Sequence, residues 1–380
     1  MSTLNVNTIN AATSGQGVAV DVQNPRSFRN LIINGAMNVA QRGTSSTTNG
    51  YGSVDRFAIE NSGVDEAPTH AQVDVASGTT PYTLGFRKAL KITNGNQTGG
   101  ADAGDFINFS QAIEAQNIAQ SGWNYTSTSS FITLSFWIKS SVAQDFKGYL
   151  SMEDGTERSY PYATGSLTAN TWTKITKTIP GASNLQADNN SNKGFYFSLW
   201  PFIGTNYTSS SVTEDAWMTY AGGTRTKDAT STWYTTNDAT LEITGVQLEV
   251  GSYATDFEHR SYNEELARCQ RYYFRMDSDD GTNSMFCLGW ASSSTDFQTF
   301  VKFPITMRDT PSAIEQTGTA SHYRVNAGHG TTNCSGVPTF ASATKYSASF
   351  SSVTSGMTTG QTGYYRSNNS SAFLAWSAEL

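Results

Sequence analysis

The stretch FITLSFWIKS (131–140) decides the fold. Its even positions, Ile132, Leu134, Phe136 and Ile138, are all large and apolar. Its odd positions, Phe131, Thr133, Ser135, Trp137 and Lys139, are mostly polar. A period of two is the signature of a β-strand with one face in a core. The pattern recurs outward. GFYFSLW (194–200) sets Phe195, Phe197 and Leu199 against Tyr196, Ser198 and Trp200. TWTKITKTIPG (171–181) places Trp172, Ile175 and Ile179 among Thr and Lys, then stops at Pro-Gly. LEITGVQLEVG (241–251) alternates around Ile243, Val246, Leu248 and Val250, with Gly245 read as a bulge. No helical pattern of about 12 residues recurs between these strands, which argues against a βαβ fold. Two packed antiparallel sheets are the simplest architecture for residues 27–256.

One helix stands out, at SYNEELARCQR (261–271). Ser261 and Glu264 have capping-box spacing, and Tyr262, Leu266 and Cys269 form one apolar face. Arg268 and Arg271 fall in the last turn, where the helix dipole favours cations. The span 257–273 is therefore a linker helix joining two domains. Strand patterning returns over 274–380, in SMFCLGW (284–290), DFQTFVKFPITM (296–307), SATKYSASF (342–350) and AFLAWSAEL (372–380). In STDFQTFVKFPI the apolar residues Phe297, Phe300 and Phe303 change parity, so a bulge or bend is expected at Thr299–Lys302. The fold class is all-β: a β-sandwich, a short helix, then a second C-terminal β-sandwich forming a tip. Residues 1–26 are small and polar with short strand-like alternation. They read either as a disordered tail or as a docking and oligomerisation segment that orders against partners.

Composition excludes several classes. Only 14% of the 380 residues are charged, against roughly 25% for ordinary soluble chains. The net charge of -7 and the lack of a basic stripe argue against nucleic acid. Aromatics at 12% argue against disorder. Three Cys without a Cys-x-x-Cys give neither a disulfide framework nor a zinc ribbon. The longest strongly apolar stretch, FYFSLWPFI (195–203), is about half a membrane span. MSTLNVNTIN has neither the basic nor the apolar region of a secretory signal, so export by that route is not expected.

NLIINGAMNVAQRG (30–43), followed by YGSVDRFAI (51–59), resembles the opening of a domain found in bacteriophage tail-fibre and virion structural proteins. ITGVQLEVGSYATDFEHRSYNEELARCQRYY (243–273) resembles that domain's closing strand and exit helix. FVKFPITMRDTPS (300–312) resembles a motif of their C-terminal domains, and MSTLNVNTINAATSGQG resembles the start of some marine-phage fibres. The resemblance frames most of residues 28–312 and fades after 312. It implies a jelly roll like those of carbohydrate-binding domains, assembly as a homotrimer, and attachment to other virion proteins through the N-terminal segment. It further implies a virion location and release by lysis, which accounts for the missing signal. The expected task is host attachment, to a surface glycan or an outer-membrane protein. The alternatives are a capsid-bound decoration or head fibre, and a glycan-degrading tailspike-like hydrolase.

The search for chemistry favours binding over catalysis. Glu153, Asp154 and Glu157 cluster in SMEDGTERS, where Asp-Gly is an ordinary hairpin signal. No His-x-x-His, His-Glu-x-x-His or Gly-x-Ser-x-Gly occurs, so neither a zinc enzyme nor a seryl triad is expected. His322 and His329 fall in a loop-like stretch, and His259 is placed beside Arg260 ahead of the helix. No cofactor is required. A structural calcium is the one candidate ion, with Asp55, Glu242 and Glu249 as ligands if the opening and closing strands are neighbours. Glycans stack on exposed aromatics while amides and carboxylates bond their hydroxyls. On that basis Trp217 and Trp233 are candidates in the central domain, with Tyr160, Tyr162, Tyr207, Tyr220 and Tyr234. In the C-terminal domain the candidates are Tyr323, Arg324, Tyr364, Tyr365, Arg366 and Asn368, with His322 and Asn369 beside them. The C-terminal loops are the preferred place for host contact.

Overall fold

The computed structural model describes residues 29–278, 282–328 and 330–380. The segment 1–26 and His329 lie outside these. Two six-stranded antiparallel sheets form the central sandwich. The first runs, edge to edge, Ser45–Ser46, Thr69–Asp74, Lys88–Thr93, Thr240–Val250, Phe131–Ser140 and Thr173–Pro180. The second runs Met218–Thr219, Arg158–Ser166, Asp145–Met152, Lys193–Ile203, Phe106–Glu114 and Ala58–Ser62. Ile132, Leu134, Phe136 and Ile138 face inward from the first sheet and meet Phe195, Phe197 and Leu199 of the second in one buried core. The alternation of the opening stretch thus lies across the sandwich as expected.

The strand Thr240–Val250 departs from simple alternation: it is buried on both faces. Its register shifts between Thr244 and Gln247, confirming a bulge at Gly245. The polar groups that the bulge frees are taken up by the opening segment, since Val246 N donates to Gly35 O at 2.9 Å and Leu31 N to Leu248 O at 2.9 Å. Asn30 finishes the seam, donating to Val246 O and accepting from Leu248 N. Gly35 is required by this close approach, because a Cβ there would lie 2.0 Å from Val246 O.

Ser261 caps the helix Tyr262–Gln270, its hydroxyl accepting from Glu264 N at 3.3 Å. The expected apolar face is corrected. Cys269 is buried, but Tyr262 is exposed and Glu265 takes an inward place. That carboxylate accepts from Asn34 N at 2.5 Å and pairs with Arg260 at 3.5 Å. A buried acid with partners replaces the aromatic that spacing alone selects.

The C-terminal sandwich packs a seven-stranded sheet on a three-stranded one. The larger runs Gly330–Asn333, Tyr323–Ala327, Thr362–Ser367, Met285–Ala291, Asp296–Lys302, Ser347–Val353 and Thr339–Ala343. The smaller runs Tyr273–Asp277, Phe373–Ser377 and Glu315–Gln316. The bend expected at Thr299–Lys302 is absent. Asp296–Lys302 pairs without a register shift from Asp296↔Val353 to Lys302↔Ser347. Phe297 and Val301 point inward and Phe300 points out, so the change of parity marks an exposed ring in a regular strand.

A polar joint ties the two sandwiches together. Arg56 forms an ion pair with Glu379 and donates to Ala112 O at 2.7 Å, with its guanidinium 3.5 Å from the centre of the Tyr272 ring. Arg42 pairs with the same carboxylate at 3.1 Å and lies 3.5 Å over Tyr273. The fully buried Glu114 accepts from Arg271 Nε and Nη2 and from the Tyr272 hydroxyl, at 2.6–2.7 Å. Arg308 donates to the carbonyls of Ser191, Ala378 and Glu379.

Candidate functional site

Trp137 lies on the outward parity of Phe131–Ser140, opposite Lys174 on one neighbouring strand and Thr244 on the other. Trp137 is half-buried and packs against a small apolar cluster that contains Phe86. Room for the Phe86 ring is made by the bulge at Gly245. Its φ of +65° suits glycine, and a Cβ there would sit 2.7 Å from the Phe86 ring. The tip of the Phe86 ring therefore packs against the bulge, and the ring builds a wall with Phe257 and His259, whose ring centres are 4.9 and 5.1 Å from its own. The His259 imidazole also bonds Leu84 O at 2.9 Å, which fixes its plane.

The result is a concave site on the outer face of the first sheet, about 230 Å³ in volume. Trp137, Phe86 and Phe257 give it apolar surfaces, while Ser135, Thr255, Asp256, Lys174 and His259 give polar ones. Glu249 holds one lip in place. Its carboxylate accepts from Thr255 N at 2.8 Å and Thr255 Oγ1 at 2.6 Å, and Asp256 O accepts from Arg29 at 2.6 Å. Its lining thus includes aromatic rings, an ammonium, a carboxylate and hydroxyls. It is below the roughly 300–1,000 Å³ of sites for drug-sized molecules, a scale that suits one small polar ring.

A second aromatic group, on the outer face of the other sheet, is closed. Tyr149 and Trp200 are buried there, with Tyr196, Tyr207 and Tyr220 packed against them. The Arg225 guanidinium lies 4.8 Å from the Tyr207 ring centre.

The structure sorts the residues expected from sequence. Trp233 is fully buried, its indole N–H donating to Thr240 O at 3.1 Å, so it belongs to the core and presents no surface. Tyr160, Tyr162 and Tyr234 join the same core. Trp217 is half-buried, edge-on to Tyr160, and donates to Pro180 O at 2.7 Å. In the C-terminal sandwich Tyr323 and Tyr365 are fully buried and stacked at 5.8 Å. Each lies at an inward position of its strand, which corrects the expectation of a loop. Arg324 and Arg366 are cross-strand neighbours that hold Asn283. Asn368 bonds Ser321 O at 2.9 Å. Tyr364 alone of this set is a large exposed ring.

The three carboxylates considered for calcium are not brought together. Glu242 pairs with Lys139 at 2.8 Å. Glu249 lies seven residues along the same strand, roughly 23 Å away at 3.3 Å per residue, and supports Thr255. Asp55 accepts from Gln41 N at 2.8 Å and from the Gln41 amide, and burial pushes its carboxyl up to about 6. Among the described residues, no group of three or more His, Cys, Asp and Glu could hold a metal ion. Among them, too, no helix is long and apolar enough to cross a membrane.

Sequence reasoning missed Trp137, although the signal stood in the opening stretch: one large ring between Ser135 and Lys139 on the polar parity. It also missed Phe86, Phe257 and His259, which only the bulge brings together.

No protein-family profile matches the chain. No curated protein matches it either. Among solved structures it is similar to the enzymatically active domain of bacteriophage CBA120 tailspike protein 4, at 11% identity and a TM-score of 0.31. That match covers 58% of this chain and 21% of the tailspike chain. It is also similar to a putative sugar binding protein from Bacteroides thetaiotaomicron, at 13% identity and a TM-score of 0.29, covering 59% of this chain and 100% of the other. A family 11 carbohydrate-binding module from Clostridium thermocellum matches at 9% identity and a TM-score of 0.25, covering 57% and 98%. These are likenesses of fold.

Proposed function

We propose that the chain is a non-catalytic attachment protein of a virus particle and that it holds a carbohydrate of the host surface in the Trp137 pocket. The pocket itself carries this reading. A pyranose has apolar C–H faces and a rim of hydroxyls, and here an indole lies beside an ammonium, a carboxylate and two hydroxyls. Trp137 is the stacking platform. Lys174 and Asp256 bond ring hydroxyls, and Phe86, Phe257 and His259 form the wall beside the ring. The size of the site suits one terminal or branch sugar, with the rest of the glycan outside. The particle context is supported by the resemblance of residues 30–59, 243–273 and 300–312 to virion structural proteins. The same stretches build the seam and the polar joint, and 243–273 also supplies Gly245, Thr255, Asp256, Phe257 and His259 to the pocket.

A printed array of bacterial surface glycans tests this reading. The full chain is expected to be retained on a subset of glycans, and Trp137→Ala to lose that retention with an unchanged circular dichroism spectrum. No retention of the wild type on any glycan, or equal retention of the variant, counts against it.

A further inference from the structure

The seven-stranded sheet turns an apolar face outward. Tyr364, Leu288 and Phe300 are directly paired across three adjacent strands, and Trp290 lies two residues along from Leu288. With Met285 they make up five of the ten large apolar side chains exposed among the described residues. Each is about half exposed or more, Leu288 reaching 62%. At 150–250 Å² per large side chain their free surface is on the order of 500 Å², most of the roughly 800 Å² per partner of a standard interface. An exposed leucine between two aromatic rings, with no carboxylate among them, fits a protein partner better than a sugar.

The strand Asp296–Lys302 suggests which protein. Its outward residues are Asp296, Gln298, Phe300 and Lys302, acid at one end and base at the other, about 20 Å apart. Such a strand complements itself when two copies run antiparallel. We propose that two copies of this chain pack these faces together about a twofold axis that crosses the strands at Thr299. Asp296 of each copy then meets Lys302 of the other, and Gln298 meets Phe300. Trp290 comes over Leu288 of the facing copy.

A receiving cleft is present at that point. Met285–Ala291 and Asp296–Lys302 pair only from Leu288↔Phe300 to Ala291↔Phe297 and then part. The gap is about 500 Å³, walled by Phe286 and Val301, with Phe274 and Met276 of the smaller sheet behind. An indole entering the mouth of an apolar cleft is the kind of anchor that dominates an interface. Every contact is made twice, as an isologous interface requires.

The test is the solution mass of the full chain by sedimentation equilibrium. The wild type is expected to form an even-numbered assembly. Leu288→Glu and Phe300→Glu should each halve its mass, weakening association at least tenfold while the thermal melt stays cooperative. Asp296→Lys should weaken it as well, and Asp296→Lys with Lys302→Asp should restore it, a rescue that a merely structural role would not give. A wild-type monomer at 0.1 mM overturns the proposal. So does a mass of three chains, or any mass indifferent to Leu288→Glu and Phe300→Glu.

Discussion

Glu114 shows how much can rest on one side chain. Burial alone raises its pKa, but hydrogen bonds from Arg271 and Tyr272 outweigh burial and hold the carboxyl below its usual value. A carboxyl with a depressed folded pKa contributes stability above its unfolded pKa, and that contribution is lost as pH falls through the folded value. Glu114→Gln is expected to cost about 3 kcal/mol at pH 7, measured by urea unfolding, because it leaves a partly buried guanidinium short of its anion. In acid the wild type and the variant should converge. Asp55 has the opposite sign. Burial pushes its carboxyl up to about 6, so the protonated form contributes stability below pH 4 that is lost as pH rises through 6. A carbon-13 titration of the Asp55 carboxyl is expected to show a midpoint near 6, and an ordinary midpoint near 4 would contradict its burial. Neither shift was legible in the sequence, where Asp55 is read as a calcium candidate and Glu114 carries no local signal. Burial and partners are properties of the fold, and Glu114 and Arg271 stand 157 positions apart in the chain.

At the scale of elements, the legible part was what periodicity controls. The core parity of 131–140 and 194–200, the bulge at Gly245 and the cap at Ser261 follow from local rules and stand in the structure. The illegible part was whatever depends on a cover. Thr240–Val250 has alternating chemistry yet is buried on both faces, because a segment more than 200 residues earlier lies across it. Tyr323 and Tyr365 looked like loop residues because Ser, Asn and Gly surround them, but they occupy inward positions of two paired strands. Phe300 looked like the sign of a bend and is a surface ring. The bulge gives a direct test at this scale. Gly245→Ala places a Cβ at positive φ against Phe86, and is expected to cost about 2 kcal/mol in thermal or urea unfolding. It should also disturb the Trp137 pocket, since Phe86 is its wall; a variant as stable as the wild type would mean the ring does not pack against the bulge.

In the whole molecule the low charge of the chain bears on both proposals. It leaves the first sheet's outer face free to hold a mixed polar and aromatic pocket, and it leaves the seven-stranded sheet with an uncharged strip between charged ends. At the joint, Arg42, Arg56, Arg271 and Arg308 bind the C-terminal residues and Glu114 into one seam. The joint, the proposed ligand pocket and the proposed contact between copies lie at three separate places in the fold. The sequence reading placed host contact in the C-terminal loops; the proposed function places it in the central sandwich instead. Titration calorimetry with an oligosaccharide retained on the array tests that placement most directly. Trp137→Ala is expected to weaken binding at least tenfold, about 1.4 kcal/mol, with Tyr364→Ala unchanged. Loss of binding in Tyr364→Ala, with Trp137→Ala like the wild type, would contradict the account.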